Sequence, residues 1–183
     1  MPSIRFLRAP LGAMGALALA TTMMATPSTA DPAPGGTAPI IVWKTHTFKN
    51  VFSQRCLEIR GDRTDNGAPA GQWECNHSHT QNWIAKYGPN GYYTLVNVNS
   101  GLCLEIRGDR TDDGAPAGQW ECNGSRTQEW RAIPHNSDGE DIVNANSDKC
   151  LEILSWGTGD GDAAGQWTCH GGENQRWYGT VYP

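Results

Sequence analysis

Three glutamates and three tryptophans recur in step with six cysteines. Glu58, Glu105 and Glu152 each stand two residues after a cysteine, and Trp73, Trp120 and Trp167 each stand two residues before another. An indole presents an apolar plate with a polar edge, and a carboxylate is a fixed acceptor for hydroxyl groups. Side by side they suit a ligand that has one C–H face and a rim of hydroxyls. Asn76, Asn123 and His170 directly follow the second cysteine of each set and are candidates for the rim of such a site. The same residue types also read as ordinary turn formers.

Other chemistry is poorly supported. A glycosidase needs two carboxylates of unlike pKa set about 5–10 Å apart. Here the prominent acids are copies of one another in equivalent settings, and no G-x-S-x-G elbow occurs. The chain is therefore expected to be non-catalytic and to need no cofactor. A zinc site would call on "CNHSH" at Cys75–His79, but the other two copies lack its histidines, and structural zinc takes four matched ligands. No metal is expected. "DRTDNG" and "DRTDDG" resemble half of a calcium loop without its closing acid. "RGD" at Arg60–Asp62 and Arg107–Asp109 reads as turn chemistry inside a repeated loop.

The elements that must position these residues follow from a repeat. The cysteines fall at 56, 103 and 150 and at 75, 122 and 169, both in steps of 47. Gln81, Gln128 and Gln175, each opening a Gln-x-Trp triplet, keep the same step. "CLEI", "GQWEC", "YYTLVNV" and "DIVNAN" are short, hold β-branched or aromatic residues and are bounded by Gly, Asn, Asp or Pro, as strands are. No stretch after residue 40 shows a sustained helical period. A three-fold β repeat of this length implies an all-β, pseudo-symmetric β-trefoil, since propellers typically close with about four to eight blades. Symmetry also selects among cysteine pairings: the local solution is Cys56–Cys75, Cys103–Cys122 and Cys150–Cys169. Each such bridge would contribute roughly 3 kcal/mol on the chain-entropy model.

A strand register makes the site explicit. If Cys56 lies opposite Cys75, Glu58 lies opposite Trp73, Glu105 opposite Trp120 and Glu152 opposite Trp167. Alternation then turns Leu57 and Ile59 into the core and puts acid and indole on the other face. It also turns Gln72, Gln119 and Gln166 toward the core.

The termini and the charge set the context. Residues 1–30 combine Arg5 and Arg8, an uncharged apolar middle and a small-residue exit at Ser28-Thr29-Ala30, the pattern of a secretory signal peptide. Residues 31–40, rich in Pro and Gly, read as a flexible lead-in. The domain then runs over 41–183. Without the leader, 12 basic side chains face 19 acidic ones, which argues against a nucleic-acid partner. No later segment approaches the roughly 20 apolar residues of a membrane span. Secretion and an extracellular location are expected, and cysteines in such chains form disulfides.

With three Gln-x-Trp motifs, three cysteine pairs and one period, the chain resembles the ricin B-type lectin family over about residues 41–183. The resemblance implies a β-trefoil that binds carbohydrate of galactose or xylan type, often beside glycoside hydrolase or toxin domains. It implies hydroxyl binding by Glu58, Glu105 and Glu152, where the family usually has Asp, and stacking by Trp73, Trp120 and Trp167. The family's Asn before Gln-x-Trp survives only as Asn174; Thr80 and Thr127 replace it elsewhere. Trp83, Trp130 and Trp177 would fill the barrel, and Gln81, Gln128 and Gln175 would brace turns. Up to three weak sites acting together are expected. The departures from the family pattern leave a protein-binding trefoil with degenerate sugar sites as the alternative.

Overall fold

Each copy of the repeat folds as four short strands, and three copies close on themselves. The computed structural model describes residues 44–135 and 138–182. The expected signal peptide and lead-in lie outside the described residues. The strands are β1 (Thr45–Asn50), β2 (Cys56–Ile59), β3 (Ala70–Trp73) and β4 (Trp83–Tyr87) in the first lobe. The second lobe has β5 (Tyr93–Asn97), β6 (Cys103–Ile106), β7 (Ala117–Trp120) and β8 (Trp130–Pro134). The third has β9 (Glu140–Asn144), β10 (Cys150–Ile153), β11 (Ala164–Trp167) and β12 (Arg176–Tyr182).

Antiparallel pairing runs β1–β4–β5–β8–β9–β12 and back to β1, a closed ring of six strands. Closure removes the open sheet edges that invite aggregation. The hairpins β2–β3, β6–β7 and β10–β11 branch from β1, β5 and β9 and together cap one end. They touch in a cycle: Pro69 bridges Gly118, Pro116 bridges Gly165 and Ala163 bridges Gly71. This is the β-trefoil that the repeat implies.

The core is threefold as well. Trp83, Trp130 and Trp177 are fully buried, and their Nε1 atoms donate to the carbonyls of Leu57, Leu104 and Leu151 at 3.2, 3.1 and 3.0 Å. Burying an indole without such a partner would leave its N–H unpaired. Leu57, Ile59 and their copies point inward beside them. The three disulfides are Cys56–Cys75, Cys103–Cys122 and Cys150–Cys169, each with Cα atoms 5.1 Å apart.

The hairpin register differs from the expected one. Cys56 pairs with Trp73 and Glu58 with Gly71, with equivalent pairs in the other lobes. The ladder stops at Trp73, so Cys75 lies beyond it and the disulfide closes diagonally. A bridge tolerates this because it constrains the Cα distance, not direct opposition. The shift is two residues, and an even shift keeps every side chain on its face. Acid and indole are therefore diagonal neighbours on one face instead of opposed partners.

The inward glutamines join the lobes. Gln72 Nε2 donates to the carbonyls of Gly157 and Gly159, each at 3.1 Å, and its Oε1 accepts from Ser53 Oγ. Gln119 holds Arg63 and Asp65 of the first lobe, and Gln166 holds Arg110 and Asp112 of the second. Each fully buried amide is thus satisfied by the turn of the preceding lobe, as a buried polar group must be.

Candidate functional site

The outer face of each hairpin carries one exposed indole above one buried carboxyl. Trp73, Trp120 and Trp167 are 43%, 43% and 42% exposed, whereas Glu58, Glu105 and Glu152 are 6%, 8% and 3% exposed. A neighbouring lobe supports each ring. Gly161, Gly67 and Gly114 adopt φ near +80° in the loops that pack on Trp73, Trp120 and Trp167. Only glycine enters that conformation readily, and a Cβ there would already stand at 3.6–3.8 Å from the indole.

Gln81 sets the floor. Its Nε2 donates to Glu58 Oε2 at 3.3 Å and to the Glu74 carbonyl at 2.9 Å, while its Oε1 accepts the Asn76 N–H at 3.0 Å. One amide therefore fixes the acid and the turn carrying the rim residue. Gln128 repeats this with Glu105, Glu121 and Asn123. Gln175 does so with Glu152, Thr168 and His170. Burial pushes the Glu58 and Glu105 carboxyls above the usual carboxylate range. The glutamine hydrogen bond opposes that push, and Asp62 or Asp109 nearby adds to it.

In the first lobe Glu58, Trp73 and Asn76 line one hollow of about 390 Å³ with Asp62, Ser78 and Thr80. In the second, Glu105, Trp120 and Asn123 line one of about 290 Å³ with Asp109, Ser125 and Thr127. Asp62 and Asp109 are site residues that sequence reasoning placed in a turn only. They hold φ of +52° and +53°, which aspartate tolerates better than most residues. Their recurrence 47 residues apart, four after each Glu, was the signal for them. Ser78 Oγ meets Thr80 Oγ1 at 2.7 Å, so both hydroxyls are ordered at the hollow.

The third lobe keeps the floor and changes the rim. Trp156 takes the place of Asp62, and His170 takes the place of Asn76. His170 Nε2 stands 3.5 Å from Glu152 Oε2, and the Trp156 ring stacks on the imidazole at 6.1 Å. A carboxyl that faces an open hollow in two lobes thus has an imidazole beside it in the third. Asn174 occupies the position of Thr80 and is 1% exposed, with its side-chain N–H donating to the Ile153 carbonyl at 3.4 Å.

Among the described residues no cluster of three or more His, Cys, Asp or Glu side chains could hold a metal. No helix there is long and apolar enough to cross a membrane.

Comparison with known proteins agrees with this geometry. Residues 44–177 match the model of the ricin-type beta-trefoil lectin domain. No curated protein sequence matches the chain at a significant level. Among solved structures, the designed three-fold symmetric protein ThreeFoil is 28% identical, with a TM-score of 0.73 over 74% of this chain and 96% of its own. The exo-β-1,3-galactanase of Clostridium thermocellum is 29% identical, with a TM-score of 0.74; the match covers 76% of this chain and 30% of that enzyme. The C-half of an earthworm R-type lectin, solved with GalNAc, shares the fold at 16% identity and a TM-score of 0.61, over 76% of this chain and 99% of its own.

Proposed function

Because the chain belongs to the ricin-type β-trefoil lectin family, we propose that it is a secreted, non-catalytic carbohydrate-binding protein acting through the hollows of its first two lobes. One observation carries the reading: in each hollow a half-exposed indole and a buried, hydrogen-bonded carboxyl stand on the same face. The sugar's C–H face packs on Trp73 or Trp120. Its hydroxyls reach Glu58 or Glu105 at the floor and Asn76 or Asn123 at the rim, with Asp62 and Asp109 as further acceptors.

The hollows are shallow and open, so each holds one sugar unit weakly. Two of them on one rigid domain favour a polymer, because the second contact forms at high effective concentration. The ligand class that fits the family is a galactose-type or xylan-type polysaccharide. Three disulfides and an acidic surface accord with an extracellular life. The test is calorimetry of the mature protein against an arabinogalactan, a xylan and the free monosaccharides. We expect at least about 100-fold tighter binding per sugar unit for one of the polymers. Equal affinity per unit for polymer and monosaccharide would refute action through two sites.

The alternative of a protein-binding trefoil has one observation in its favour, in the third lobe. Phe52 and Trp156, 38% and 48% exposed, meet edge to face at 5.1 Å, and Trp156 also stacks on His170. Loss of a protein partner on Trp156→Ser, with glycan binding intact, would assign that role to this lobe alone.

A further inference from the structure

The end of the barrel opposite the hairpin cap holds a cavity unlike the hollows. It measures about 350 Å³, and all six barrel strands contribute to its wall. The space exists because the ring of residues 85, 132 and 179, related by the repeat, consists of Ala85, Ala132 and Gly179. A Cβ on Gly179 would stand 3.2 Å from Glu140 Oε1 and 3.5 Å from the Phe48 ring. Glycine there leaves room for the carboxylate.

The next ring outward breaks the symmetry of the fold. Positions 46, 93 and 140 are related by the same 47-residue step, yet they hold His46, Tyr93 and Glu140. All three line the cavity. Positions 58, 105 and 152, by contrast, are Glu in every lobe. The Tyr93 hydroxyl is buried with no hydrogen-bond partner among the described residues, and the residue is only 6% exposed. A buried hydroxyl without a partner is uncommon in a folded protein. Glu140 is half-buried, and no Lys, Arg or His pairs with it among the described residues. Burial pushes its carboxyl up, and its charge adds to the upward push on the Tyr93 phenol.

The wall chemistry is one-sided. A carboxylate, a phenol oxygen and an imidazole held toward its neutral form by burial and by Lys44 are all able to accept hydrogen bonds. No Lys or Arg lines the space. The rings of Phe48, Tyr87 and Tyr93 supply aromatic faces, which attract cations, and Tyr87 and Tyr93 lie 5.7 Å apart. With one carboxylate and no metal-type cluster among the described residues, a metal ion is the poorer fit. A neutral polyol would leave the Glu140 charge uncompensated.

We propose that this barrel mouth binds a small organic ammonium compound. The protonated amine sits against Glu140 beside the Tyr87 and Tyr93 rings, and its apolar tail lies over Ala85, Ala132 and Gly179. A volume of about 350 Å³ is near the lower end of small-molecule sites, so the ligand is small and millimolar affinity is expected.

The experiment is an NMR titration of the mature protein with isopentylammonium chloride, isopentanol and methyl β-galactoside in parallel. The amine should shift the amides of Ala85, Tyr93, Ala132 and Gly179 saturably, with a Kd of about 1 mM. The alcohol should bind at least about tenfold more weakly, one decade of affinity. The indole signals of Trp73 and Trp120 should stay in place with the amine. Glu140→Gln should erase the preference for amine over alcohol. Ala132→Leu, at an exposed position, should fill the mouth and abolish both shifts while the rest of the spectrum is retained. Three results would each overturn the proposal: equal binding of amine and alcohol, saturation by the galactoside instead, or no saturable shift with the amine up to about 20 mM.

Discussion

Lobes one and two differ from lobe three most in the loop between the hairpin strands and in the stretch after the second cysteine. All three lobes keep the disulfide, the half-exposed indole, the buried glutamate and the glutamine that holds it. What changes is the loop between the hairpin strands, where Leu154, Gly157 and Gly159 stand for Arg60, Arg63 and Asp65, and the stretch after the second cysteine, where Gly172 and Asn174 stand for Ser78 and Thr80. Gly61-Asp62 and Gly108-Asp109 become Ser155-Trp156, and Asn76 and Asn123 become His170. Ser155 and Trp156 keep the left-handed backbone, with φ of +58° and +55°, although neither residue favours it. Trp156 contacts Phe52 and His170 from that conformation. The difference teaches that the disulfide and the glutamine–glutamate hydrogen bond that hold the hairpin persist in a lobe whose rim has changed.

The largest effect that separates the lobes should come from the indoles. Trp73→Ala with Trp120→Ala removes both stacking plates and should cut polymer binding by about 100-fold or more, since avidity is lost along with each contact. Trp167→Ala should change it by less than about threefold, within the range of a surface substitution. Affinity electrophoresis in polysaccharide gels measures both. An equal loss from Trp167→Ala alone would mean that the third lobe binds despite its changed rim.

A smaller effect should follow from rebuilding the third rim. Ser155→Gly, Trp156→Asp and His170→Asn together restore three rim residues of the first lobe and remove the imidazole that stands beside Glu152. Calorimetry with a soluble glycoside should show the stoichiometry rise from two to three per chain, with polymer affinity up by about tenfold. The glycine also relieves a left-handed serine, so thermal stability should not fall below that of the Trp156→Asp, His170→Asn double variant. A stoichiometry that stays at two would show that the rim alone does not make a site.

Most of the scaffold is legible in the sequence: the cysteine pairing follows from the 47-residue step, the core tryptophans from the family resemblance, and the strand face from side-chain alternation. The expected register is off by two because it sets the cysteines directly opposite each other, whereas the ladder ends at Trp73. The inward glutamines had no visible role, since their partners are backbone carbonyls about 55 residues or more away in another lobe. Asp62 and Asp109 escaped notice because a turn in sequence gives no sign that it folds over the hairpin face. Strands such as Trp83–Tyr87 and Trp130–Pro134 carry Lys, Arg or Pro and lack a clear alternation.

The smallest effect, and the sharpest probe of the two open lobes, is pH. Glu58 and Glu105 are pushed above their ordinary value of 4.5, chiefly by burial. As pH falls they gain protons sooner than an exposed glutamate does. Protonation replaces a charge-assisted acceptor with a neutral group, and charge-assisted bonds are the stronger kind. Glycan affinity should therefore decline as pH is lowered, with a midpoint above 4.5, read by tryptophan fluorescence. Glu58→Gln with Glu105→Gln should bind more weakly at pH 7 and show a flat profile. Unfolding does not account for the decline. A carboxyl whose folded pKa is raised favours the folded state as pH falls from above its folded value to below its unfolded one. These two groups thus add stability over the range in which binding is lost, and the melting temperature of the double variant should lack that contribution. A profile unchanged by the double substitution would place the titrating group elsewhere and would refute Glu58 and Glu105 as the charged acceptors of the hollows.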